Sequence, residues 1–340
     1  MASSPSAGVE RSARELPLPW EPVHGDRGGL GAWLEYFGYR ALTGTLAHLP
    51  YAAQDAFAAG LARLAARFDR RHAVAAREYI DQAFGGALSG ARREELVRAA
   101  YRHLILQTLR DTRFNEQVLG PDAAAHFEMH VHDDFRALQQ RGGGFLIVLA
   151  HVGSWEAFIV LAEVLGVGPV YIVSRPPRNR PLSVHFQRER EARGMHLIHR
   201  HGAVRGITRV VEAGGAVGLM LDQRAHGKTV LAPMFGRPAH CERSIAVLIR
   251  RLKVPVVFAA CYETGQPYQY EARIPRVMGP EAFAGRSPEQ ILTEINRELE
   301  AMILARPEQY VWLHDRYRKA PRAAPRASAT PDAGAGGAAV

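Results

Sequence analysis

Two cysteines in 340 residues, Cys241 and Cys261, are too few for a disulfide framework or a cysteine-based zinc site, and they point to a reducing, cytosol-facing setting. Lysine is nearly as scarce, confined to Lys228, Lys253 and Lys319, so arginine carries the positive charge. No stretch reaches the roughly 18 uninterrupted apolar residues of a spanning helix. The nearest candidate, 157–173, is broken by Glu163, Gly166, Gly168 and Pro169. The first residues also lack the charged start and apolar core of a secretory signal peptide.

What is present is a chain that is 47% hydrophobic, enough for a sizeable core, with a net charge of +9. That charge selects anionic partners: a phospholipid surface, an acidic glycolipid, an acidic carrier protein or nucleic acid. Residues 1–29 and 321–340, rich in Ser, Pro, Gly and Ala, read as disordered tails. Residues 30–120 read as a helical, membrane-associating region. Leu30, Trp33, Leu34, Phe37 and Leu42 form one apolar stripe, and Phe57, Leu61, Leu64 and Phe68 form another beside Arg67, Arg70 and Arg71. Such stripes either pack on the rest of the protein or lie in a membrane interface.

Residues 121–320 read as an α/β domain. Strands are expected at 145–150, 170–174, 217–221 and 254–260, and helices at 155–165, 182–193, 202–212, 243–252 and 288–305. This alternation predicts a mostly parallel sheet flanked by helices.

The strand at 145–150 delivers His151 to a turn, followed by Gly153, Ser154 as a helix N-cap, Trp155 and Glu156. A histidine at the carboxyl end of a strand faces the ligand crevice of an open α/β sheet, and with a carboxylate on Nδ1 it is a general base. Glu156 is the expected carboxylate, and the amides near Gly153 and Ser154 are candidate oxyanion donors. A polar turn with a capped helix is the alternative. Between Ser174 and Val210 stand nine arginines against two glutamates, a candidate anion-binding patch or a solvated face. His126, His130 and His132, like His196, His199 and His201, have the spacing chance gives a histidine-rich chain, so no metal is expected. Ser154 does not sit in Gly-x-Ser-x-Gly, which disfavours a serine nucleophile.

The His151-x4-Glu156 segment, with its interior Gly and Trp, resembles the signature of the bacterial lipid A acyltransferases, the lauroyl/myristoyl branch of the lysophospholipid acyltransferase superfamily. Further blocks resemble that family in order: Ser174-Arg-Pro-Pro-Arg-Asn179, 188–194, Leu221-Asp-Gln223, Pro233-Met-Phe-Gly236, Val254-Pro-Val-Val257 and Gln309-Tyr-Val-Trp-Leu-His-Asp-Arg316. Arg224 departs from it, standing where the family usually has a second Asp. The resemblance implies acyl transfer from a thioester, on acyl carrier protein rather than coenzyme A, to a hydroxyl of a lipid A precursor or related anionic glycolipid. His151 and Glu156 would be catalytic, and Gly153, Ser154, Arg175, Asn179, Arg188, Arg190, Asp222 and Gln223 would bind substrate. No cofactor beyond the thioester and no nucleic acid partner is implied, and the setting is the cytoplasmic face of the inner membrane, peripheral or monotopic. A lysophospholipid or a phosphatidylinositol mannoside is the alternative acceptor, and a non-catalytic binder of anionic lipid or nucleic acid is the alternative of another class.

Overall fold

A computed structural model describes residues 24–225 and 227–321, so most of both expected tails lies outside the described residues. Five helices come first: α1 (Leu30–Ala47), α2 (Tyr51–Phe68), α3 (Arg70–Ala83), α4 (Gly90–Asp111) and α5 (Phe114–Val118). Strands and helices then alternate through β1 (Phe127–Val131), α6 (Asp133–Arg141), β2 (Phe145–Leu149), α7 (Trp155–Val164), β3 (Val170–Ser174), α8 (Arg180–Ala192), β4 (Met195–His199), α9 (Ala203–Glu212) and β5 (Ala216–Met220). After these come β6 (Thr229–Met234), β7 (Arg237–Glu242), α10 (Arg243–Leu252), β8 (Val256–Glu263), β9 (Tyr270–Met278) and α11 (Pro288–Ala305).

Seven strands form one sheet in the order β1-β9-β8-β2-β5-β3-β4, parallel at every pairing except β8 with β9. The expected mostly parallel, helix-flanked sheet is therefore present. All five side chains of β2 are buried, as a central strand covered on both faces requires. β6 and β7 form a separate antiparallel hairpin.

The N-terminal helices share a core with the sheet. Tyr79 of α3 and Leu96 of α4 belong to the same buried cluster as Leu146, Val217 and Trp312. Yet α1 and α2 pack through small or polar residues. The buried positions of α1 are Ala32, Thr43 and Ala47, and those of α2 are Gln54, Ala58 and Ala62. Their large apolar side chains point away from the protein: Leu34 is 63% exposed, Phe37 59%, Leu64 54% and Phe68 74%. Both helices pack on the rest of the chain, α1 on α4 and α8 and α2 on α4, but among the described residues their large apolar side chains are left largely uncovered. Among the described residues, no helix is long and apolar enough to cross a membrane.

The end of the first expected tail is ordered. Gly25 N–H donates to Ser183 Oγ at 3.1 Å, Arg27 N–H to Arg178 O at 2.8 Å, and Arg180 N–H to Arg27 O at 2.9 Å. The extended segment before α8 supplies this backbone with partners, which outweighs its loop-like composition.

Candidate active site

The register of β2 against β5 builds the site. Leu149 lies opposite Met220, so two residues on, beyond the carboxyl ends of both strands, His151 meets Asp222. His151 Nδ1–H donates to Asp222 Oδ1 at 2.8 Å, and the His151 backbone N–H donates to Oδ2 at 3.2 Å. Tyr310 OH donates to Oδ2 at 3.1 Å and takes a hydrogen bond from Tyr79 OH at 3.2 Å. Asp222 is 1% exposed. Burial alone would raise its pKa, but His151 and the surrounding donors outweigh burial and hold the carboxyl below its usual range. The His151 side chain is 22% exposed, with Trp155 edge-on at 5.6 Å. With Nδ1 committed to Asp222, Nε2 is the nitrogen that can take a proton from a substrate hydroxyl.

The expected contact between His151 and Glu156 is not the one made. Glu156, at the start of α7, is buried and turned toward α8, where Arg190 Nε and Nη2 donate to its Oε1 at 3.0 and 2.5 Å and Arg193 Nη1 donates to Oε2 at 2.7 Å. Arg193 also contacts Asp111 at 2.7 Å. Burial works to raise the Glu156 pKa, but the two arginines prevail and it is lowered. Asp111 goes the other way, to about 6, through its own burial and the neighbouring Glu156 charge. The reason is angular. A residue in the first turn of α7 points off the helix toward the packed α8, whereas the turn before it delivers His151 to the next strand end.

The turn itself is structural. Gly153 has φ of 64°, and a Cβ there would lie 2.1 Å from Cys261 O. Its N–H donates to Gln309 O at 3.1 Å, the Ser154 N–H donates to Cys261 O at 2.6 Å, and Gly153 O accepts from His103 Nε2 at 3.1 Å and from Gln107. Both amides expected to face an oxyanion are thus spent on stitching the turn to β8 and to the 309–311 segment. Ser154 Oγ accepts the Ala157 N–H at 3.2 Å, the N-cap expected of it.

Other expected binding residues divide. Asn179 is buried, caps α8 and donates to Ala32 O and Glu35 Oε2, both at 2.9 Å, so it ties α1 to α8 and is not open to substrate. Arg190 has its fork on Glu156, which removes it from the anion-binding set. Arg175 and Arg188 are exposed, and Gln223 is half-buried beside Asp222. Among the described residues, no group of three or more His, Cys, Asp or Glu side chains could hold a metal ion.

Sequence reasoning missed Tyr79, Tyr310, His103, Gln107 and Arg193 as supports of the site. Tyr310 lies in the block that closes the resemblance and Arg193 in the arginine-rich one. Tyr79, His103 and Gln107 sit on ordinary helical faces and gave no signal.

An open, mostly parallel α/β sheet brings a histidine and a buried aspartate together at adjacent strand ends, an arrangement chemically able to activate a hydroxyl. Comparison with known sequences gives that arrangement a family. The profile described as bacterial lipid A biosynthesis acyltransferase matches residues 28–319, and the chain belongs to that family and is an acyltransferase. It is 23% identical over 294 residues, 85% of its length, to the lipid A biosynthesis palmitoleoyltransferase of Escherichia coli (strain K12) and to the lipid A biosynthesis acyltransferase of Shigella flexneri, covering 92% of each.

Proposed function

We propose that this protein transfers a fatty acyl chain from an acyl thioester to a hydroxyl of a lipid A precursor at the inner-membrane surface, with His151 as general base and Asp222 as its partner. The observation that carries the proposal is the His151–Asp222 hydrogen bond at the strand ends, in a chain of this family. His151 Nε2 takes the acceptor proton as the hydroxyl attacks the thioester carbonyl. The tetrahedral intermediate then collapses, expelling the thiolate, to which the imidazolium returns the proton. Asp222 fixes the tautomer and stabilises the imidazolium. The transfer needs no covalent acyl-enzyme and no cofactor beyond the thioester. Because the Gly153 and Ser154 amides are engaged, side-chain donors at the strand ends, Gln223 or Arg175, are the candidates for the oxyanion.

Two surfaces support the setting. The outward apolar side chains of α1 and α2 suit a monotopic helix pair lying in the cytoplasmic leaflet. A cavity of about 810 Å³ along α2, α3 and α4 is lined by Arg63, Arg67, Arg70, Arg77 and Arg98, with Glu94 bound to Arg77. Its charge suits an anionic acyl donor, an acidic carrier protein or coenzyme A, of which the carrier protein is the one the family resemblance implies.

The test is incubation of the purified protein with a lipid A precursor and either acyl carrier protein or coenzyme A thioesters, read by mass spectrometry. An acyl increment on the precursor that is far faster from the carrier protein is expected. No increment from either donor would refute the proposal, and equal rates would refute the donor assignment.

A further inference from the structure

A second cavity, of about 290 Å³, opens between the start of α3 and the segments that frame the catalytic pair. Arg71, Arg224 and Arg318 line it together with His72 and His314, and Asp315 is the acid among its lining residues. His72 already shares its Nδ1 with Asp69 at 2.8 Å. His314 is uncharged at neutral pH, its pKa pushed by burial to about 4, and its Nε2 accepts the Arg224 backbone N–H at 2.9 Å. Three arginines and one aspartate therefore line a small space.

The cavity adjoins the site on both sides. Arg224 lies two residues after Asp222, and Val311, also in the lining, donates its N–H to His151 O at 3.1 Å. Its size suits a polar group and not an acyl chain, and planar guanidinium forks match the oxygens of a phosphate. We propose that Arg71, Arg224 and Arg318 form a phosphate-binding subsite beside His151, which anchors a phosphate ester of one substrate while the base acts on the hydroxyl.

Two sources share this chemistry: a phosphate on the glycolipid acceptor, and the phosphodiester of a pantetheine arm on the donor. The identity of the ligand rests on the acyl-transfer reading, whereas the cation cluster does not. Binding is therefore measured without turnover, by ligand-observed NMR at low salt, with glucosamine 1-phosphate and 4′-phosphopantetheine as probes and glucosamine and pantetheine as controls. The phosphorylated probe that binds names the source. Its affinity is expected to fall roughly tenfold or more in Arg224→Gln and to recover in part in Arg224→Lys. Arg71 and Arg318 are exposed, so Arg71→Gln and Arg318→Gln fold and should show the same loss. Affinities within about twofold of wild type in all the Gln variants, or controls that bind as well as their phosphate esters, would overturn the subsite. Arginine-dependent binding by a protein that transfers no acyl group would sink the acyl-transfer reading alone.

Discussion

Asp222 is held by three donors in a buried position, and each donor has a separable effect. Replacing His151 with Ala removes the proposed base and should lower kcat by about 10²- to 10⁴-fold with an unchanged circular dichroism spectrum, because the ring is partly exposed and packs little. Tyr310→Phe leaves Asp222 two donors and should cost only severalfold in kcat. Gly153→Ala is different in kind: a side chain at φ of 64° and against Cys261 O displaces backbone, so destabilisation of roughly 2–4 kcal/mol is expected, read as a lowered Tm. Glu156→Gln leaves Arg190 without its carboxylate and Arg193 with that of Asp111 alone, and should cost roughly 3 kcal/mol in stability by urea denaturation.

At the scale of elements, α1 and α2 invert the usual rule, with alanines inside and leucine and phenylalanine outside. The double variants Leu34→Glu/Phe37→Glu and Leu64→Glu/Phe68→Glu should each abolish flotation with anionic liposomes while leaving the melting temperature near wild type. Flotation that persists in both would refute the membrane-facing assignment. Periodicity gave the stripes but could not say which way they face, since an apolar stripe looks the same against a core as against lipid. Strands β2, β3, β5 and β8 were legible because their apolar runs are continuous, as Phe145 to Leu149 shows, whereas β1 and β4, interrupted by Glu128, His130, His196 and His199, were not. β9, carrying Glu271, Arg273, Pro275 and Arg276, and the hairpin strands β6 and β7, with Pro233 and Pro238, break the β pattern and were not. The histidine of the site was legible for the same reason as its strand. Its partner was not, because the two are brought together by the pairing of β2 with β5, which is a matter of strand order and not of spacing.

The whole molecule should be sensitive to acid. His103 and His314 both have pKa values lowered by burial, His314 to about 4, so the unfolded chain binds protons there that the folded chain refuses. Stability is then complete above the unfolded histidine value of about 6.5 and is lost as pH falls from there toward 4. Asp111, raised to about 6, works in the opposite sense between about 4 and 6 and offsets part of that loss. Below about pH 4 the lowered carboxyls of Asp222 and Glu156 extend it. Urea denaturation should show lower stability at pH 5 than at pH 7.5, with the gap narrowed in His314→Gln; equal stability at the two values would contradict this. The central claim, that Asp222 and not Glu156 serves His151, is tested most directly by kcat for acyl transfer in Asp222→Asn and Glu156→Gln, compared on protein confirmed to be folded. The account predicts a loss of about 10²- to 10⁴-fold for Asp222→Asn and a much smaller one for Glu156→Gln. The reverse order would contradict it.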